Sequence, residues 1–146
     1  MTITMKNFSF RLLCALALLA IAGTPAYAAP VLIGNKNIAT EKFDGPTLKS
    51  IFLGKKVTWD GAGRVTLAVL KSGPIADEFL KGAVDMTASA FNNHWRRLAM
   101  TGGGTAPKAF DKEDELRKFV AETPGAVGFV DSATADASVV VLKTTS

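Results

Sequence analysis

Residues Val65 to Phe79, Val-Thr-Leu-Ala-Val-Leu-Lys-Ser-Gly-Pro-Ile-Ala-Asp-Glu-Phe, change period partway along. Val65, Leu67 and Val69 alternate with Thr66 and Ala68, the period of two that a strand requires. Beyond Gly73 the pattern is helical: Ile75 and Phe79 stand four residues apart on one face, and Pro74 has the fixed φ that suits a first helical turn. A strand that passes through a tight turn directly into a helix is a unit of layered α/β folds. Ser72 admits two readings. Its hydroxyl caps the helix behind it, or it joins the free N–H groups of that helix in holding an oxyanion.

The first 28 residues read as a leader. Lys6 and Arg11 precede an apolar run from Leu12 to Ala22, and Ala26-Tyr27-Ala28 forms a small-residue cleavage signal. The run is too short to span a bilayer comfortably, and Cys14 lies early in it rather than at its end, which argues against lipid modification. Cleavage after Ala28 leaves residues 29–146, a single domain of 118 residues without cysteine. Such a chain, once exported, buries its core without disulfides. The leader carries two of the 17 basic residues and none of the 13 acidic ones, so the remainder has a net charge of +2. With no basic block interleaved with aromatics, nucleic acid is not expected as a partner.

Other elements follow from spacing. Val31-Leu32-Ile33 reads as a strand, and Gly45-Pro46 opens a helix with Leu48, Ile51 and Phe52 on one face, ended by Gly54. Trp59 reads as a packing residue. The helix after Ser72 runs to about Ala83, and a second begins near Thr87 with Ala88, Phe91, Trp95 and Leu98 on one stripe and Asn92, Asn93, Arg96 and Arg97 opposite. His94 is the only histidine and has no companions for a metal set, so it reads as structural or solvated; no metal or cofactor is expected. Thr101-Gly102-Gly103-Gly104-Thr105 forms a flexible loop that either approaches a ligand or merely ends the helix, and no Gly-Lys-Ser/Thr follows to make a P-loop. Asp111 is expected to cap a helix whose buried face is Leu116, Phe119 and Val120. Thr123-Pro124-Gly125 stops that helix, and strands follow at Ala126–Val130 and Val139–Leu142. Alternating strands and helices predict an α/β fold, a largely parallel or mixed sheet flanked by helices, with ligands beyond the carboxyl ends of the strands.

Three stretches resemble the phosphate-binding proteins of ABC transporters, and in particular their short, single-domain relatives. They are Ile51-Phe52-Leu53-Gly54-Lys55-Lys56 with Trp59; Phe91-x-x-His94-Trp95-x-Arg97 followed by Thr101-Gly102-x-Gly104-x-x-Pro107; and Val120-x-x-Thr123-Pro124-Gly125-Ala126-Val127-Gly128-Phe129-Val130. The resemblance runs from about Val31 to Val130. It implies one three-layer-like lobe of a type II periplasmic binding protein. In that family phosphate is held by a loop resembling Arg-x-Asp-Gly-Ser-Gly-Thr, and here the matching place reads Leu70-Lys71-Ser72-Gly73-Pro74. Ser72 and Gly73 match, the arginine and aspartate are absent, and Pro74 removes a backbone donor. Lys71 supplies charge as a point rather than a bidentate fork.

The residues expected to bind phosphate or a similar oxyanion are therefore Lys71, Ser72, Gly73, Thr101 and Gly102, with Arg96 or Arg97 in support. The function expected is that of a periplasmic solute-binding protein working with a membrane transporter or sensor subunit. A site missing its second lobe is open, and a homodimer would enclose it. The alternative is an interaction or sensory module that keeps the lobe and has lost the anion. An enzyme is not expected, since Ser72 lacks a Gly-x-Ser-x-Gly elbow and the lone histidine sits in a helix.

Overall fold

The structure, a computed structural model, describes residues 29–38 and 43–145, with the side chain of residue 145 excepted; the leader expected over residues 1–28 lies outside them. Five strands form the main sheet: β1 (Pro30–Gly34), β5 (Thr66–Leu70), β6 (Lys108–Phe110), β7 (Ala126–Asp131) and β8 (Val140–Leu142), in the order β6-β5-β7-β1-β8. β6, β5 and β7 run parallel, while β1 is antiparallel to both β7 and β8. The sheet is mixed, one of the two arrangements that the alternation of elements allows. Two small sheets complete it: β2 (Phe43–Asp44) beside β9 (Thr144–Thr145), and the hairpin of β3 (Thr58–Trp59) with β4 (Gly63–Arg64).

Helices cover both faces of the main sheet. These are α1 (Gly45–Phe52), α2 (Pro74–Phe79) continued as a π-helical turn over Leu80–Val84, α3 (Ala88–Met100) and α4 (Glu113–Glu122). β7 shows why: five of its six residues are buried, so neither face meets water. On one face Phe129 stacks on Phe79 of α2 at 4.2 Å between ring centroids, and Phe52 of α1 closes the trio at 5.1 Å from Phe79. On the other, Gly128 lies under α4, where a Cβ would stand 2.9 Å from Leu116 Cδ2 and 2.7 Å from the Ala68 carbonyl oxygen. The layers are thus α1 and α2, sheet, and α4. Truncating a ring such as Phe129 to alanine removes about 3–5 kcal/mol from such a core.

Helix ends follow local chemistry, with two departures from expectation. Asp44 caps α1 by accepting the Thr47 N–H at 2.7 Å, and Thr87 caps α3 by accepting from Ala90 at 3.1 Å. Ser72 does not cap α2. The cap position belongs to Gly73, at φ +111°, and no side chain bonds to the helix start. An L residue is strained at that φ, so the turn needs glycine there and the serine falls one position outside. Asp111 likewise does not cap α4; the cap position is Lys112, without a side-chain bond, and the Asp111 carboxylate accepts from Lys71 instead. His94 has a structural place, its Nε2 lying 2.9 Å from the Leu53 carbonyl oxygen.

The motifs that carry the family resemblance are joints of this scaffold. Trp95 donates its indole N–H to the Phe52 carbonyl at 3.0 Å, and a Cβ on Gly54 would come within 2.7 Å of the Trp95 ring. Trp59, buried and edge-on to Phe43, donates to the Gly125 carbonyl at 2.9 Å. That same carbonyl accepts the Thr66 N–H at 3.0 Å, while the Gly125 N–H donates to Asn37 Oδ1 at 2.9 Å. Gly125 has φ +78°, and a Cβ on it would lie 2.2 Å from the Arg64 carbonyl oxygen. Only glycine fits.

Candidate functional site

The three parallel strands give the sheet two chemically distinct ends. At the carboxyl end, β5 leaves through Lys71, Ser72 and Gly73 into α2, and β6 leaves through Asp111 into α4. The first bond of α2 runs from the Asp77 N–H to the Gly73 carbonyl at 3.0 Å, so the N–H groups of Ile75 and Ala76 precede the helical ladder. Pro74, ahead of them, has no N–H to offer. Ser72 is exposed, and its hydroxyl has no hydrogen-bond partner among the described residues. Gly73 exposes its backbone beside it.

Lys71 is committed. Its Nζ lies 2.9 Å from Asp111 Oδ2, and its backbone N–H donates to the Phe110 carbonyl at 3.0 Å. The parallel register pairs Leu70 with Phe110, and one step further brings Lys71 beside Asp111. The turn therefore holds a cation and a carboxylate after all, the latter contributed from 40 positions downstream. Both side chains are largely exposed, so the pair contributes little stability and the lysine remains free to move to a competing anion. Asp111 escapes a reading by local sequence because its proximity depends on which strand lies beside β5. The parallel offset, once known, finds it.

Thr101 and Gly102 lie elsewhere. They follow α3 and precede β6, so they belong with the amino ends of the strands, and the length of β5, about 13 Å, separates that end from the Ser72 turn. The Thr101 hydroxyl turns back on its own helix, bonding to the carbonyls of Arg97 at 3.0 Å and Leu98 at 3.2 Å. Gly102 lines a cavity of about 800 Å³ together with Gly103 to Lys108, Lys56, Arg64, Thr66 and Trp95. Arg96 and Arg97 are exposed on α3 and do not line it. The five residues expected to share one site thus divide into Lys71, Ser72 and Gly73 at one end of the sheet and Thr101 and Gly102 at the other.

No protein-family model matches the chain, and no curated protein sequence does either. Solved structures do. A protein from Clostridium perfringens described as a phosphate ABC transporter substrate-binding protein, determined with phosphate bound, aligns with a TM-score of 0.62 at 16% identity, over 80% of this chain and 44% of its own. An ABC-type phosphate transport receptor from Vibrio cholerae aligns with a TM-score of 0.55 at 12% identity, over 80% of this chain and 46% of its own. The chain spans less than half the length of either, and both are named for transport or binding rather than for a reaction. In its mixed sheet and flanking helices, the chain has the fold of one lobe of the phosphate ABC transporter substrate-binding proteins.

Proposed function

We propose that the protein is a periplasmic solute-binding module that holds phosphate or a similar oxyanion at the Ser72 turn and presents it to a membrane transporter or sensor subunit. The observation that carries this reading is the Ser72 hydroxyl, exposed and unpartnered among the described residues at the carboxyl end of β5. Gly73 and the first N–H groups of α2 supply further donors, and Lys71 supplies a movable charge. The position is where an α/β sheet places ligands, and the lobe is one on which phosphate-binding proteins are built. Two copies of this lobe facing one another would enclose the anion and raise the affinity.

A second reading has its own support. Asp111 offsets the charge of Lys71 and Pro74 withholds one N–H, which together suit a lobe that has given up the anion and serves as an interaction or sensory module. Calorimetric titration of inorganic phosphate at low salt, with sulfate as comparator and Ser72→Ala as paired variant, separates the two. Saturable, phosphate-selective heat that weakens about tenfold in the variant is expected for a lost charge-assisted hydrogen bond. Absence of heat at millimolar phosphate, with no thermal stabilisation, sinks the first reading in favour of the second.

A further inference from the structure

We infer that the cavity at the amino ends of β5 and β6 is a second, separate site, built for an organic anion: a carboxylate or phosphate ester carrying an apolar body. Three cations reach its lining, Lys56, Arg64 and Lys108, and no carboxylate among the described residues does. Arg64 and Lys108 form no ion pair among the described residues, and Lys56 has only a loose one, 3.6 Å from an Asp60 that is 89% exposed. A pair that open to water yields readily to a better anion. The loop adds backbone donors. The N–H groups of Gly104, Thr105 and Ala106 bond to nothing among the described residues, while the preceding Gly103 N–H is tied to the Leu98 carbonyl at 2.8 Å.

Size and lining select the class of anion. A cavity of about 800 Å³ lies in the range of small-molecule sites and would leave inorganic phosphate surrounded by water. The rest of the wall is mixed: Thr66 and Thr105 stand beside an apolar part that includes Val57, Val65, Trp95 and Phe119. Part of that wall is fixed in advance. The Trp95 indole is held by the Phe52 carbonyl at 3.0 Å and backed by Gly54, and Gly104 lies near its ring, where a Cβ would make ordinary contact with Cζ3 at 3.4 Å. A fixed aromatic edge beside a cluster of cations with one loose carboxylate partner takes a ligand with one face of each kind. The triglycine loop, which the Ser72 turn does not use, thereby gains a role.

The test is an amide-resolved NMR titration of the full chain with phenyl phosphate and benzoate as the anionic probes. Benzyl alcohol serves as the neutral ring and inorganic phosphate as the ringless anion. Saturable shifts at Gly102 to Lys108 and at the Trp95 indole N–H are expected for at least one anionic probe, the tighter one identifying the head group. Binding is expected to weaken about tenfold in Arg64→Gln and again in Lys108→Gln, both exposed positions whose loss leaves the fold intact. Benzyl alcohol and inorganic phosphate are each expected to bind these residues at least about tenfold more weakly. Equal binding by benzyl alcohol, saturation by neither anion at millimolar concentration, or indifference to both substitutions would overturn the inference. None of these outcomes involves Ser72, so the phosphate reading stands or falls on its own titration.

Discussion

Asn35 is the buried polar residue among the described residues, 9% exposed, and replacing it by aspartate tests the structure most sharply. Its Nδ2 donates to the carbonyls of Val120 at 2.9 Å and Ala121 at 3.1 Å, and its Oδ1 accepts the Asn37 N–H at 3.0 Å. The side chain thus ties the end of β1 to the last turn of α4. Asn35→Ala loses three bonds and strands one buried carbonyl, a cost of about 2–3 kcal/mol. Asn35→Asp keeps the shape but, when ionised, points a carboxylate at two carbonyl oxygens at the negative end of a helix. The added cost of that charge is about 2 kcal/mol beyond the lost donors, for a total of about 4 kcal/mol at neutral pH.

The sign with pH follows from which form the fold prefers. The fold disfavours the charged form, so the folded-state pKa of the new carboxyl is raised above its ordinary value of about 3.9. Its protonated form also regains one donor. The variant therefore stands closest to the parent below that ordinary value and loses ground as pH rises through the folded value. Urea unfolding followed by tryptophan fluorescence at acid and neutral pH reads this directly. With a slope of about 1–2 kcal/mol per molar urea, the pH-dependent share alone moves the midpoint by about 1 M or more. The gap between variant and parent should narrow towards acid pH, while that of Asn35→Ala should not follow it. A gap for the aspartate variant that is the same at both pH values would refute the placement of this side chain against the α4 carbonyls.

Three further outcomes are expected. Gly125→Ala, which sets a methyl group 2.2 Å from the Arg64 carbonyl oxygen at φ +78°, should cost at least about 3 kcal/mol or prevent folding, as thermal melting would show. Thr87→Ala removes the acceptor for the Ala90 N–H and should lower stability by about 1 kcal/mol in urea, whereas Thr87→Ser should be nearly neutral. Asp44 is held below its ordinary value of 3.8, first by the hydrogen bond from the Thr47 side chain and then by its backbone N–H. Its contribution is therefore present above that value and lost as pH falls through the folded one, and Asp44→Asn should flatten the acid limb of the stability profile.

Local pattern carried much of this fold. The period of two at Leu67 and Val69 and the spacing of Ile75 and Phe79 place β5 and α2, and Thr87 marks the start of α3, because each depends on neighbours within a turn or two. What escaped depends on distant pairing. Nothing near Lys71 announces Asp111, since their meeting follows from the register of β5 against β6. Nothing near Gly102 says that its loop opens at the opposite end of β5 from Ser72. Ser72 itself was one residue from a cap because Gly73 takes the conformation that the turn demands. The resemblance was legible for a different reason. Trp59, Trp95, Gly54 and Gly125 are joints whose hydrogen bonds and contacts hold the lobe together, so their pattern reports the scaffold and leaves the ligand to be decided by residues outside it.

The position of β1 has a consequence for how the chain comes to be folded. Leu32 pairs with Phe129 on one side and Leu142 on the other, about a hundred positions later in each case. During synthesis the first strand has no neighbours in the main sheet until β7 emerges, and it remains an open edge until β8 follows. A nascent chain that has reached only α4 has the parallel pair of β5 and β6, and its own beginning is held by Asn35 at the end of α4 with no strand yet beside it in the sheet. Closure of the sheet therefore waits for β7 and β8, and pulse-labelling hydrogen exchange should find Leu32 and Ile33 among the last amides to gain protection.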